Sequence, residues 1–414
     1  MRPSTSWIAT PHALRSSLQR RHVSDGRLFQ AGDLVLLREK HNRSTPPILS
    51  RPLEQGKRIE GHRGVILHDD VIGRRVRDVV KSHTPRSQRD GTEYRLHNVT
   101  LDEYVRLTKR LVTPIYPADA NLIVSLLDLH ADESMYGPDA DQRLEILEAG
   151  TGHGGLTLHL SRAIHAANSS ARLSSNVGAS VGIDEFRSRR RAVVHTTDVS
   201  PLFSAHAETV VKGFRRGFYA MNVDFHVGDV GDTLKKLYTD RDDGTYTPFL
   251  SHALLDLPAA EGHLAKVAEA LKTDGTLIVF NPSITQIMKC VTKVKDEGIL
   301  LDLDRVVELG VNGGSGGREW DIRFIRPKSL QKRATAPDDV HNISETSAAS
   351  EDEVESVGGS STLHTPVSDE DQHWSTVCRP KVGERITGGG FLGVWKKQRD
   401  MRFGLPLPEA SIYT

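Results

Sequence analysis

The chain has 414 residues, 37% hydrophobic and 26% charged, enough for two to three domains, and no run approaches the roughly 18 to 20 apolar residues that cross a bilayer. Two cysteines, Cys290 and Cys378, are too few for a disulfide framework and lack the spacing partners of a zinc or iron-sulfur site, which points to a reducing compartment. The net charge of zero hides an asymmetry: ten acids and no Lys or Arg lie between residues 334 and 372, which leaves the rest of the chain at +10 and favours a polyanionic partner.

Residues 1–24 carry four arginines and no acid, with Trp7, Leu14 and Leu18 spaced to share one helical face. This is the composition of a mitochondrial transit peptide, with Arg20-Arg21 suited to processing; an ordinary basic terminus is the alternative. Residues 25–106 read as a small N-terminal β domain, barrel-like, with short strands predicted over 33–37, 64–68 and 94–96. Two helices follow, over 101–110 and 119–129. From 144 onward strands and helices alternate. Strands are predicted over 144–147, 192–196, 223–227, 252–257 and 276–280, and helices over 156–167, 203–212, 263–271 and 284–295. This alternation argues for an α/β domain over 107–328, with a parallel sheet covered on both faces. Two stretches interrupt it. Residues 169–191, rich in Ser, Gly and Arg, read as a surface insertion whose Arg187, Arg189, Arg190 and Arg191 form a solvated basic loop or touch phosphates. Residues 329–375, which hold the acidic run, have the composition of a disordered insertion. A returning strand is predicted over 390–395, within a tail spanning 376–414.

The sharpest local signal is the run Leu147-Glu-Ala-Gly-Thr-Gly-His-Gly-Gly155 between a predicted strand and helix. Glycines let backbone approach a ligand closely, and a helix N-terminus offers free N–H groups. Gly150, Gly152 and Gly155 fit a dinucleotide fingerprint; Gly150, Gly152 and Gly154 fit the loop of S-adenosylmethionine enzymes. A glycine-rich turn without a ligand fits as well. Context favours S-adenosylmethionine. Asp198, Asp229 and Asp256 each end a predicted strand, and in an open α/β sheet such ends converge on one crevice.

These residues resemble those of the tRNA (adenine-58-N1)-methyltransferases, most closely the mitochondrial branch, and the similarity runs from Phe29 onward. Its carriers are Gly61–Gly73, Tyr116–Asp119, Glu148–Thr157, Ala253–Pro258, Phe280–Gln286, Arg318–Trp320 and Gly388–Leu392. The chain departs from the family pattern at Ala259–Glu261, where a proline-aromatic step is replaced, and at Phe203, where an arginine is common. The resemblance implies a Rossmann-like S-adenosylmethionine-dependent methyltransferase domain behind the N-terminal β domain, acting on adenine N1 of tRNA. It assigns catalysis to Asp256 and Tyr116. It assigns the cofactor to Glu148, Gly150, Gly152, Gly154, Gly155, Leu156, Thr157, Asp198, Asp229, Val230 and Asp256, and no metal. It implies a homotetramer, or a heterotetramer with a related tRNA-binding subunit, in the mitochondrial matrix or, alternatively, the nucleus. The competing readings are a non-catalytic tRNA-binding subunit and a methyltransferase acting on another RNA or on protein. The intact glycine loop and Asp256 speak against the first.

Overall fold

The computed structural model describes residues 27–399 except 43, 62, 84–90, 133–134, 138–141, 175–180, 242–246, 311–319, 326–374 and 381–388. The leader, the acidic segment and the end of the tail therefore lie outside the described residues.

The N-terminal portion is antiparallel. Strands β1 (Leu36–Glu39), β2 (Ile48–Leu49), β5 (Val79–Lys81) and β6 (Glu93–His97) form a sheet in the order β2-β1-β6-β5, and β3 (Arg58–Gly61) pairs with β4 (Gly64–Leu67) as a hairpin. A single bridge between Val65 and His83 joins hairpin to sheet. The described strands thus form a four-stranded sheet joined to a hairpin, the small antiparallel β domain that was expected. Alternating burial in β6 turns Tyr94 and Leu96 inward, onto a small core with Phe29, Val35, Leu37 and Ile66. A short helix, α1 (His68–Val71), closes the hairpin.

Helix α2 (Leu101–Leu107) opens with a capping box, Thr100 and Glu103 bonding each other's backbone N–H, which satisfies two N–H groups that the helix cannot. Pro117 starts α3 (Pro117–Leu126), where its missing N–H costs nothing. The large sheet has seven strands: β7 (Leu144–Ala149), β8 (Ala192–Asp198), β9 (Val223–Val227), β10 (Leu250–Leu255), β11 (Leu271–Asn281), β12 (Leu301–Leu309) and β15 (Gly390–Lys397). Their order is β12-β15-β11-β10-β7-β8-β9. Strands β7 to β11 are parallel, and β15 returns antiparallel between β11 and β12. Strand β7 is buried along its whole length, as a central parallel strand between two helix layers must be. One face packs Leu144 and Ile146 with α3, α4 (Gly155–Ala163) and α7 (Pro201–Gly213). The other packs Leu147 and Ala149 with α8 (Val230–Thr239), α9 (Leu264–Ala270) and α10 (Ile284–Asp296). The chain runs β7-β8-β9 to one side, then β10-β11 to the other. The order therefore reverses between β7 and β10, and a ligand crevice is expected outside the carboxyl ends of those two strands.

A second compact unit spans Gly316–Ile386, where β13 (Trp320–Ile325) pairs antiparallel with β14 (Ser375–Pro380).

The described part of the 169–191 stretch lies at the surface, with Arg187 and Arg189 exposed, but is helical where a loop was expected. It contains helices α5 (Ser169–Ser174) and α6 (Val181–Arg189), and α6 buries Phe186. Arg190 leaves the basic group altogether: it is buried, and both its Nη atoms reach the Asp224 carboxylate on β9. Asp224 belongs to a charged cluster beneath the sheet edge. There His195 Nε2 lies 2.8 Å from Glu145 Oε2, which also accepts from Arg241.

Candidate functional site

The glycine run leaves β7 at the reversal point and turns into α4. Gly150 N–H donates to the Thr197 carbonyl at 2.9 Å, and Asp256 N–H donates to the Ala149 carbonyl at 2.8 Å, so the loop is hung between β8 and the end of β10. Gly150 has φ 92°, and a Cβ there would stand 1.9 Å from the Asp256 carbonyl oxygen. Only glycine permits that approach. Gly154, at φ 82°, caps α4 with no side-chain bond to its first N–H groups, and a Cβ on it would press on Ala207 of α7 at 3.0 Å. Gly152 is less crowded: its added Cβ would meet Val112 at 3.3 Å and the Gly150 carbonyl oxygen at an ordinary 3.9 Å.

A small crevice gathers Glu148, Gly150, Gly152, Gly154, Gly155, Leu156 and Asp256. Seven of the predicted residues therefore converge although they come from β7, the loop, α4 and the end of β10. Asp198 stands behind the loop and holds it, accepting from Gly152 N–H and from Ser200 N–H, both at 2.9 Å. Tyr116 caps α3 directly after Ile115, which lines the crevice, and the Arg110 guanidinium lies 5.5 Å from its ring centre. Three residues stand further back. Thr157 is buried, and its hydroxyl donates to Glu148 Oε2 at 2.6 Å. Val230 packs its side chain into the core of the α8 face, leaving its backbone alone for contact. Asp229 caps α8 by accepting from Gly231 N–H at 2.7 Å.

The carboxyls of the crevice are held near neutrality. Glu148 is 1% exposed, and burial pushes it up to about 7 against the opposing hydroxyl bonds from Thr157 and Thr196; the neighbouring Asp256 and Asp198 charges add to the rise. Burial pushes Asp256 up to about 6. Ionised, these groups sit where a cation is welcome, because an uncompensated negative charge out of water is costly.

Sequence reasoning missed His153 and the connecting stretch Thr113–Ile115, which all line the crevice. His153 is 2% exposed. Burial first, then the charges of His206 and Arg110, lower it to about 4, so it is neutral at physiological pH. Its place inside the glycine run was the available signal; the 113–115 stretch had none, since it reaches the loop only through the packing of α2 and α3.

The comparisons with known proteins bear on this geometry. A family model described as TrmI-like N-terminal matches residues 28–76, the antiparallel portion. The tRNA (adenine(58)-N(1))-methyltransferase TrmI of Thermus thermophilus is 30% identical over 304 residues, which cover 73% of this chain and 93% of the relative. This chain belongs to the tRNA (adenine-58-N1)-methyltransferase family. The crystal structure of a SAM-dependent O-methyltransferase from Thermotoga maritima superposes with a TM-score of 0.55 at 16% identity, over 92% of this chain and 99% of the other. At that identity it supports the fold alone, the Rossmann-like arrangement that was expected. The cofactor of the family, S-adenosylmethionine, suits the crevice. The uncapped N-terminus of α4 offers N–H groups to a carboxylate, the glycines admit close backbone approach, and the carboxyls favour positive charge.

Proposed function

We propose that this chain catalyses S-adenosylmethionine-dependent methylation of N1 of adenine 58, in the T loop of tRNA. The observation that carries the reading is Asp256, a half-dry carboxyl that faces the glycine loop across the reversal point of the sheet in a member of this family. S-adenosylmethionine supplies, when bound, an electrophilic methyl group on a sulfonium. The chain's own residues bind and orient. The free N–H groups at the start of α4 would hold the cofactor's carboxylate. Gly150 and Gly152, lacking a Cβ, would leave it room. Asp198, fixed on the Gly152 N–H, keeps the loop in shape and offers its remaining lone pairs to hydroxyls. Asp256 accepts from the exocyclic amine of the target adenine and offsets the positive charge the ring acquires. Tyr116, held from one side by Arg110, shapes the wall against which the base rests. Little acid-base chemistry is asked of the protein, because N1 attacks with its own lone pair once the atoms are aligned at about 3 to 3.5 Å. Glu148 braces the site from beneath through Thr157 and Thr196.

The family resemblance supports assembly as a tetramer, either of this chain alone or with a related tRNA-binding subunit. The acid-free, arginine-rich leader supports import into the mitochondrial matrix.

Incubation of the full chain with S-adenosylmethionine and unmodified tRNA transcripts tests the activity. The expected product is N1-methyladenine at position 58, read as a reverse-transcription stop, and none in a transcript with guanine there. Methyl incorporation into both transcripts alike, or into neither, overturns the reading. A fluorescent reporter carrying residues 1–30 should enter mitochondria; a purely cytosolic or nuclear signal overturns the assignment of the leader.

A further inference from the structure

A larger cavity, about 150 Å³, opens away from the crevice, where the N-terminal sheet meets the turn after α7. Its floor is apolar: Phe29, Val99 and Phe214 are buried there, with Phe218 beside them. Its rim is cationic, with three arginines and one carboxylate, Asp33. Two of the arginines are engaged by that carboxylate. Arg27 Nη2 lies 2.8 Å and Arg216 Nη2 2.9 Å from Asp33 Oδ1, and Arg216 also donates to the Ala31 carbonyl at 2.8 Å. Arg215 has no carboxylate partner among the described residues; its guanidinium lies 5.5 Å from the centre of the Phe214 ring. Asn98 adds an exposed amide to the rim.

The turn is strained. Arg215 (φ 46°, ψ 44°) and Arg216 (φ 57°, ψ 39°) both occupy the left-handed region, which disfavours any side chain bearing a Cβ. Gly213 and Gly217 flank the pair, yet arginines occupy the strained positions. The bonds of Arg216 to Asp33 and Ala31 account for one of them. Arg215 has only weaker contacts among the described residues, its guanidinium over the Phe214 ring and its carbonyl accepting from Phe218 N–H at 3.3 Å, and strain that the fold uses so little collects where something binds.

We propose that this cavity is a second nucleotide pocket, which takes one unstacked base of the RNA substrate among its phenylalanines while Arg215 neutralises the adjoining phosphate. The inference rests on the tRNA reading above. The chemistry is that of single-stranded RNA recognition: bases splayed from loops stack on aromatic rings and guanidinium planes, and amides read their edges. A cavity of about 150 Å³ accommodates one benzene-sized ring, as an engineered cavity of that size does. Ala207, midway along α7, abuts Gly154 of the glycine loop, and the seven residues from there to Phe214 at the cavity rise about 10 Å; the two openings share no lining residue. The captured base is therefore a different one from the methylated adenine, brought to the cavity by the folded shape of the RNA.

The test uses the full chain, an unmodified tRNA transcript and adenosine 5′-monophosphate. R215G removes the guanidinium and relieves the strained backbone; N98A removes the rim amide without touching the core. R215G should melt no lower than wild type and bind S-adenosylhomocysteine equally well. It should weaken tRNA binding about tenfold and lower the slope of log affinity against log salt by about 1. The KM for tRNA should rise in both variants with kcat unchanged. Ultraviolet irradiation of the wild-type complex should cross-link a nucleotide to the peptide bearing Phe214 and Phe218. Unchanged tRNA affinity and salt slope in both variants, with a wild type that binds and methylates tRNA, overturn the pocket and leave the methyltransferase reading standing. A wild type that neither binds nor methylates tRNA overturns both. Adenosine monophosphate binding that R215G weakens while tRNA binding is untouched assigns the cavity to a free nucleotide and refutes the RNA pocket.

Discussion

Replacing Asp256 with asparagine separates what its charge does for the reaction from what it does to the fold. Burial raises this carboxyl from 3.8 to about 6, and a shift of about two units corresponds to about 3 kcal/mol. Between pH 3.8 and about 6 the folded chain retains a proton that the unfolded chain has released. Stability therefore falls as pH rises through that window and stays lower above it. Asparagine keeps the shape, cannot ionise, and escapes the loss. The variant should be more stable than wild type at pH 8, by up to about 3 kcal/mol, and the difference should shrink toward zero as pH approaches 4. Methylation should move the other way. Loss of one preorganised electrostatic contact commonly costs about 100-fold to 1,000-fold in rate, so single-turnover methylation should drop by that factor with tRNA affinity nearly unchanged. Denaturant melts at several pH values, paired with quenched single-turnover assays at saturating cofactor and tRNA, measure both effects on one preparation. A D256N enzyme that methylates at the wild-type rate, or that is less stable than wild type at pH 8, refutes the reasoning.

Three further outcomes are expected. G150A places a Cβ 1.9 Å from the Asp256 carbonyl, whereas that of G152A comes no nearer than 3.3 Å to any atom, on Val112; the first should be the more destabilising by about 1 to 3 kcal/mol and should abolish S-adenosylhomocysteine binding by calorimetry, and equal melting points would contradict the loop geometry. R190M strips the guanidinium from Asp224, whose side chain is 21% exposed, and should cost about 3 kcal/mol, the lower end for breaking a buried pair; an unchanged denaturant midpoint would show that the pair contributes nothing. Deleting residues 334–372 removes ten acids and no base, so methylation should persist and tRNA binding should tighten at low salt; loss of activity would assign the segment a structural role.

Much of the molecule was legible where the physics is local. A buried strand running into glycines and then a helical pattern announces a close-approach loop, because glycine takes the left-handed angles found at Gly150 and Gly154 at least cost and has no Cβ to block the approach. Alternating strands and helices announce a parallel sheet. The acids at strand ends announce a crevice, since parallel strands all end on one side. Element boundaries were less secure. Strand β11 begins at Leu271, five residues before the predicted start, because the neighbouring β10 pairs with Leu271 and then resumes at Thr276 across a bulge. Helix α8 was not foreseen at all, although Asp229, already singled out as a strand-end acid, is its cap.

What no local pattern carries is the pairing of distant residues. Glu145 and His195, or Arg190 and Asp224, are separated by 50 and 34 positions, and each taken alone reads as a solvated charge. Only the register of β7, β8 and β9 brings them onto one face and out of water, where they must bond one another. The same holds for His153, an ordinary surface residue by composition, which α2 and α7 enclose until it cannot hold a proton at neutral pH. It holds as well for the cavity at Phe214, whose floor and rim come from segments about 185 residues apart. The sequence by itself determined which backbone loop can receive a cofactor, since that depends on glycines next to one another in the chain. The tertiary structure decided which carboxyls are dry and which arginines of the cavity rim a carboxylate engages, since burial depends on neighbours that the chain order does not name.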